Sequence, residues 1–247
     1  MEYMNSSLKA VFFDAGETLL APHPSHHELF AMVLDEHGHA VSPQTVQDTF
    51  AGMAPTFAAV MDRMAVKSWS ISREASLEFW GRIYGEALER LGVPDPDRRL
   101  FRALYERYTR YESYRLFPEC IPTLGAIRDA GLLVGLISNF EEWLEGMLIE
   151  MEIAHLFDLM VISGKEGIEK PDPAIFHLAL DRSGIAAEHS IYVGDHPRLD
   201  VEAAQAVGMG AVLIDRKGHH PQFEGHRIDA LDGLLTLLDL GGSGDDA

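Results

Sequence analysis

The sequence predicts an α/β fold, a Rossmann-like parallel sheet with helices on both faces and an inserted all-helical cap domain. Three observations predict it. From residue 117 onward, short apolar runs typical of buried strands alternate with helical patterns, which indicates a parallel sheet. One further run of this kind, Ala10–Phe13, stands alone near the N-terminus. Roughly ninety residues of helical periodicity separate it from the others, so we interpret that block as an insertion.

The composition excludes several classes of partner. The chain has 39 Asp and Glu against 20 Lys and Arg, which gives a formal net charge of −19. Such a surface repels nucleic acid and anionic membranes, so we expect neither as a partner. Cys120 is the only cysteine, which excludes an intrachain disulfide and indicates a reducing compartment. We find no signal-peptide pattern and no apolar run near ~18 residues, so we expect a cytoplasmic protein without a transmembrane helix.

Two domains are predicted from the position of the helical block. We expect an α/β core made of residues 1–20 and 116–247, and a helical cap made of residues 21–115. Within the cap, apolar residues recur at intervals of three and four, as on the buried face of an amphipathic helix. The predicted cap helices cover residues 27–37, 43–64, 73–91 and 97–111.

The core is predicted to alternate helices and strands after residue 117. Its most clearly bounded helix covers residues 173–183, because Asp172 can cap it, Pro173 suits its first position and Gly184 suits the position just past its end. The other predicted helices cover residues 121–130, 141–150 and 199–207. The predicted strands cover residues 132–137, 159–162, 190–193 and 211–214.

Polar side chains follow the predicted strands at their carboxyl ends, where open α/β sheets bind ligands. They are Asp14, Ser138, Asn139, Lys165, Asp195 and Asp215. Lys170 stands just before a predicted helix, and Asp200 comes five residues after Asp195. Several carboxylates on one edge, with a hydroxyl and a lysine, suit a Mg²⁺ ion and a phosphoryl group.

Four motifs in order make the pattern more specific. The segments FFDAGETL, LISN, EKPDP and VGDHPRLD resemble the four motifs of the haloacid dehalogenase superfamily. The helical insertion resembles the cap that many members carry after the first motif. The stretch from residue 135 to residue 180 is similar to the phosphatase-type branches of that superfamily. The resemblance implies a Mg²⁺-dependent hydrolase of a small phosphorylated metabolite, acting through an aspartyl-phosphate.

The resemblance also implies a metal site. Asp14 would be both the nucleophile and a Mg²⁺ ligand. The backbone carbonyl of Gly16 would be a second ligand, and Asp195 would bind the metal directly. Asp200 would help to position the metal.

Four further residues have roles by the same resemblance. Thr18 would orient the nucleophile loop. Ser138 and the backbone amide of Asn139 would hold phosphate oxygens. Lys170 would neutralise both the nucleophile and the phosphate.

The first motif departs from the family pattern at Gly16. Family phosphatases have a second Asp at this position, which acts as general acid and then as general base. Such assistance is typically worth ~10²–10⁴ in rate. We therefore expect either a phosphatase with a reduced rate or chemistry that needs no such acid. In a phosphatase, Glu17, His196 or a cap residue could replace the missing acid.

Three alternatives stay open. One is a non-catalytic phosphoryl-binding or interaction module with the same fold. Another is a metal-independent 2-haloacid dehalogenase, against which the retention of Asp195 and Asp200 argues. The third is an enzyme like phosphonoacetaldehyde hydrolase, which would use Lys67 as a Schiff base. The sequence does not fix the substrate, and we expect a monomer or a homodimer.

Overall fold

A computed structural model describes residues 7–53 and 69–240 of the chain. The chain divides into two compact units. We call them the α/β unit, made of Met1–Leu20 and Leu116–Ala247, and the helical unit, made of Ala21–Arg115. Among the helices of the described ranges, none has the length and apolar character needed to span a bilayer.

Six strands form one parallel sheet in the α/β unit, which confirms the predicted fold class. The strands of the described chain are β1 Ala10–Phe13, β2 Leu20–Pro22, β3 Tyr114–Leu116, β4 Leu133–Ser138, β5 Leu159–Ile162, β6 Ser190–Gly194, β7 Gly210–Ile214 and β8 Arg227–Ile228. The order across the main sheet is β5-β4-β1-β6-β7-β8. The remaining pair, β2 and β3, forms a separate two-stranded sheet that the sequence did not predict, since three residues are too few to show a period.

The position of β1 in the middle of the sheet decides where the polar strand ends meet. Phe13, its last residue, pairs with Leu136 of β4 on one side and Val193 of β6 on the other. All four residues of β1 are fully buried, although successive side chains point to opposite faces, so both faces of the sheet are covered. Asp14 therefore emerges between the ends of β4 and β6.

The helix predicted over residues 173–183 is confirmed, with its caps. Asp172 accepts a hydrogen bond from the backbone N–H of Ala174, Pro173 opens the helix, and Gly184 adopts a left-handed φ of 67° just past the end. The helices of the α/β unit are Cys120–Asp129, Trp143–Glu150, Ser163–Glu166, Pro173–Ser183, Ala203–Ala206 and Asp232–Leu237.

The segment predicted as a helix over residues 199–207 is helical, but it begins two residues earlier and its first part is not α-helical. The chain forms a π-helical turn, Pro197–Glu202, before the short α-helix Ala203–Ala206. In the wide turn, the Asp200 carboxylate accepts a hydrogen bond from the backbone N–H of His196 at 2.8 Å. Such turns are rare and are frequently found at functional sites.

The helical unit is built on an aromatic core. Its described helices are His26–Glu36, Pro43–Ala51, Arg73–Arg90 and Arg99–Tyr108. Serine caps begin the first three of these helices. Phe30, Tyr84, Phe101 and Tyr108 are buried between them. The second helix ends at Ala51, and the predicted continuation to residue 64 falls mostly outside the described residues.

Candidate active site

Asp14 lies at the centre of the polar residues that the strand ends bring together. It follows β1 directly and is 8% exposed. The Ser138 hydroxyl, at the end of the neighbouring strand β4, donates a hydrogen bond to its Oδ1 at 3.0 Å. The Lys170 ammonium donates to the same oxygen at 2.8 Å. Two predicted phosphate-binding residues therefore contact the predicted nucleophile.

Lys170 lies at the centre of the hydrogen-bond network around Asp14. Besides Asp14, its Nζ donates to Asp200 Oδ1 at 2.6 Å and to the Tyr192 hydroxyl at 2.7 Å, so all three of its N–H donors are used. The side chain is almost completely buried. Burial alone would lower the pKa of the Lys170 ammonium, but Asp14 and Asp200 raise it to about 12. Lys170 therefore stays charged at physiological pH.

Asn139 fixes the backbone of Lys170. Its side-chain amide donates to the Lys170 carbonyl at 2.8 Å, and its side-chain oxygen accepts from the Lys170 N–H at 2.7 Å. The amide group thus pairs with Lys170 as a neighbouring strand would. The sequence predicted a phosphate-binding role for the Asn139 backbone and did not predict this use of its side chain.

Tyr192 is a member of the network that the sequence reasoning missed. Its hydroxyl donates to the Ile137 carbonyl at 2.7 Å, accepts from Lys170, and lies 3.2 Å from Asp200 Oδ1. Burial raises the pKa of this phenol well above its ordinary value, and the nearby carboxylate of Asp200 raises it further. The signal was available, because a tyrosine inside an otherwise apolar strand needs a partner for its hydroxyl.

Three carboxylates crowd the site. One oxygen from each of Asp14, Asp195 and Asp200 lies within 4.8 Å of the others. Burial raises the pKa of Asp195 to about 8, and the charges of Asp14 and Asp200 act in the same direction. The pKa of Asp14 is also raised, by burial and against the effect of Lys170. A cation among these oxygens would relieve the repulsion that the shifts express.

The loop that follows Asp14 leaves one carbonyl available. In residues 15–20, every carbonyl except that of Gly16 accepts a hydrogen bond within the described chain. The carboxylates of Asp14 and Asp195 lie close together, and the Gly16 carbonyl follows Asp14 two residues along the chain. Hard oxygen donors of this kind are the ligands that suit Mg²⁺. The residues present therefore fit the ion.

Asp200 and Thr18 differ from the other predicted site residues in their bonding. Both carboxylate oxygens of Asp200 are used, one by Lys170 and one by the N–H of His196, which suits a positioning role. Thr18 is fully buried beside the nucleophile loop, but its hydroxyl has no hydrogen-bond partner among the described residues. The predicted orienting role of Thr18 therefore stays a prediction.

Two residues at strand ends stay outside the network. Lys165 forms an exposed ion pair with Glu145. Asp215 accepts hydrogen bonds from the backbone N–H groups of His219 and His220, so it closes a loop.

The replacements proposed for the missing acid have other partners. Glu17 pairs with Lys217 at 2.7 Å. His196 Nδ1 accepts from the backbone N–H groups of Arg198 and Leu199, and burial lowers the pKa of its imidazole. Lys67, the candidate for a Schiff base in the third alternative, lies outside the described residues.

Comparison with known proteins identifies the family. Residues 8–208 match the haloacid dehalogenase-like hydrolase family. A phosphoserine phosphatase of Thermus thermophilus is 39% identical over 140 residues, which are 56% of this chain and 55% of that protein, so the match spans about half the length of that relative. The (S)-2-haloacid dehalogenase 4A of Burkholderia cepacia is 27% identical over 240 residues, 95% of this chain and 96% of that one.

A solved structure shows the same fold. The magnesium-bound crystal structure of a haloacid dehalogenase-type hydrolase from Bacillus subtilis has a TM-score of 0.77 over 95% of this chain and 100% of that chain, with 15% identity. At that identity the likeness concerns the fold alone. The matched motifs, the parallel sheet and the family match over most of the length agree, and the chain belongs to the haloacid dehalogenase-like hydrolase family.

Proposed function

We propose that the protein is a Mg²⁺-dependent phosphatase that hydrolyses a small phosphorylated metabolite through an aspartyl-phosphate on Asp14. The observation that carries the proposal is the position of Asp14. Its carboxylate accepts hydrogen bonds from Ser138 and Lys170, and one of its oxygens lies within 4.8 Å of an Asp195 oxygen. The Gly16 carbonyl, two residues along the chain, has no hydrogen-bond partner among the described residues. This arrangement supports a fixed nucleophile beside a lysine cation, with carboxylates that could hold the metal ion that phosphoryl transfer needs.

In the first step, an oxygen of Asp14 attacks phosphorus and the bond from phosphorus to the leaving-group oxygen breaks. Lys170 orients the carboxylate and offsets the negative charge that gathers on the phosphoryl oxygens, while Ser138 supplies a hydroxyl to the same region. A Mg²⁺ ion held by Asp14, Asp195 and the Gly16 carbonyl would supply further charge neutralisation.

In the second step, water attacks phosphorus, the bond to Asp14 breaks, and inorganic phosphate leaves. Asp14 returns to its carboxylate form, and the proton of the attacking water leaves with solvent or phosphate. Apart from its chain neighbours, no described atom lies within 4 Å of where a Gly16 side chain would begin. We therefore propose substrates whose leaving group departs without a proton, such as aryl, enol or acyl phosphates and phosphoric anhydrides.

The test is phosphate release from p-nitrophenyl phosphate with and without Mg²⁺, comparing the parent with Asp14→Asn. We expect Mg²⁺-dependent release by the parent and a loss of about 10⁴-fold in Asp14→Asn, because the nucleophile is removed. Asp172→Asn is the matched control, since Asn caps a helix as well as Asp does, and it should keep parent activity. Activity that survives in Asp14→Asn would contradict the assignment of the nucleophile.

A 2-haloacid dehalogenase is the second candidate, favoured by the relative of that name and by the missing acid at Gly16. In that reaction Asp14 would displace halide from carbon, and no metal would be needed. Chloride release from 2-chloropropionate in the presence of EDTA would support it. Mg²⁺-dependent phosphate binding without turnover of any phosphate ester would instead support a binding module.

A further inference from the structure

We propose that Arg216 is a positioning residue, which holds the loop of residues 15–20 so that the Gly16 carbonyl stays free to bind the metal. The inference rests on the proposed Mg²⁺-dependent function. Neither the motifs nor the acidic cluster includes Arg216, which follows β7 on a different part of the chain.

The guanidinium of Arg216 binds the loop backbone directly. Its Nε donates to the Glu17 carbonyl at 3.1 Å and its Nη2 donates to the Thr18 carbonyl at 2.8 Å. The planar group therefore holds two successive carbonyls at once, in a geometry that a lysine ammonium does not reproduce.

Arg216 is itself held from the opposite side. Its Nη1 pairs with Glu119 Oε1 at 2.7 Å, and its guanidinium carbon lies 3.5 Å from the centre of the Phe117 ring. The side chains of Arg216 and Glu119 are 12% and 18% exposed. A cation stacked on a ring and paired with a sheltered carboxylate has little freedom to move.

The hydrogen bonds of the loop show why these two carbonyls matter. The Ala15 carbonyl accepts from the N–H groups of Leu19 and Leu20, the Leu20 carbonyl accepts from Glu17, and the Leu19 carbonyl accepts from Phe117. Of the three remaining carbonyls in this loop, Arg216 donates hydrogen bonds to those of Glu17 and Thr18 and not to that of Gly16. Arg216 thus fixes the Glu17–Thr18 and Thr18–Leu19 peptide groups, which come directly after the Gly16–Glu17 peptide, and the Gly16 carbonyl is left unpaired within the described chain.

The loop needs an outside restraint for two reasons. Gly16 has no side chain, so its backbone loses more conformational freedom on ordering than any other residue type would. Glu17 adopts a φ of 54°, a left-handed conformation that is unfavourable for a residue with a side chain. Without Arg216, we expect the loop to relax and the Gly16 carbonyl to lose its fixed direction.

The experiment measures Mg²⁺ affinity of the metal-free protein by calorimetry in Arg216→Gln, Arg216→Lys and Lys217→Gln. We expect Arg216→Gln to weaken the affinity about tenfold and Arg216→Lys to recover part of it, since the ammonium can reach one carbonyl. Lys217→Gln is the matched control, because Lys217 is exposed and, within the part of the chain that the structure describes, pairs only with the side chain of Glu17. Its Mg²⁺ affinity should stay within twofold of the parent.

Hydrogen exchange of residues 14–20 in the metal-free protein gives a second measurement. We expect faster exchange in Arg216→Gln than in the parent or Lys217→Gln. If Arg216→Gln does not fold, Phe117→Leu, which removes only the stacking ring, should show a smaller change in both measurements. Parent-like affinity and exchange in a folded variant would overturn the inference. A parent that binds no Mg²⁺ would contradict the proposed function, while the exchange measurement would still decide the role of Arg216.

Discussion

The two sides of Asp14 are built differently. On the side of Lys170, the side chains of Lys170, Tyr192 and Asp200 are buried and joined by hydrogen bonds of 2.6–3.2 Å. On the side of Gly16, a side chain is absent, the space around it is open, and the loop is held from outside. One side is crowded and fully bonded, and the other has room.

This difference predicts that the two sides of Asp14 differ in their tolerance of substitutions. A buried charged network is costly unless every member is paired, so removing one partner leaves an uncompensated charge. An open loop position has no such penalty, and a new side chain there meets few neighbours. We therefore expect substitutions on the Lys170 side to damage the protein and substitutions at Gly16 to be tolerated.

The largest effect is expected for Lys170→Met, which leaves Asp14 and Asp200 facing each other without a cation. Activity should fall by about 10³-fold or more, and the free energy of unfolding of the metal-free protein should fall by about 3–5 kcal/mol. Phosphate release and urea unfolding measure the two losses. The matched control is Lys165→Met, whose ammonium forms an exposed ion pair and should change stability by less than about 1 kcal/mol.

The pH dependence of that stability difference has a definite sign. The pKa of Lys170 is raised in the folded protein from 10.5 to about 12. Its contribution is therefore fully present below pH 10.5 and is lost as the pH rises through 12. The stability difference between the parent and Lys170→Met should shrink over that range. Equal stabilities at pH 8 would show that the network does not depend on its cation.

The next effect is expected for Gly194→Ala on the crowded side. A Cβ at Gly194 would overlap the Asp200 carboxylate, so that carboxylate, which accepts from Lys170, must shift. We expect about a 10²-fold loss of activity, the size of effect that a displacement near 1 Å can produce. Gly16→Ala is the matched control, because no atom of the described residues other than its chain neighbours lies within 4 Å of its Cβ. Its activity should stay within a few-fold of the parent. Similar losses in both variants would show that the two sides do not differ in tolerance.

The sequence predicted the parts of the site that depend on local pattern. Asp14 and Asp195 follow apolar strands and Ser138 ends one. Parallel strands bring their carboxyl ends to one edge of a sheet, so these side chains are expected on the same edge. Lys170 precedes a helix whose caps were visible in the sequence. These features need only a short window of residues.

The remaining parts depend on tertiary register. Arg216 contacts Glu17 across 199 residues of sequence, and the contact exists because β7 lies two strands from β1. The Tyr192 hydroxyl meets Lys170 because of where β6 pairs with β1. No local pattern specifies such distances, so the contacts of Arg216 and the hydrogen bond between Tyr192 and Lys170 were not predictable from spacing.

The smallest effect is expected for Gly16→Asp, and it tests the open side directly. Apart from its chain neighbours, no described atom lies within 4 Å of the new Cβ, so the variant should fold without displacing Lys170 or Asp195. The new carboxyl can then protonate a poor leaving group, as a general acid does, although its position is not optimised. We expect a gain of about tenfold for an alkyl phosphate and little change for p-nitrophenyl phosphate, whose phenolate leaves unaided.

The ratio of the two rates is the informative quantity. A gain confined to the alkyl phosphate would mean that the parent lacks an acid and works on substrates that do not need one. An equal gain on both substrates would point to tighter metal binding by the added carboxylate. No gain, with good parent activity on alkyl phosphates, would mean that another group already donates the proton. That group would then occupy the space beside Gly16 when substrate is bound.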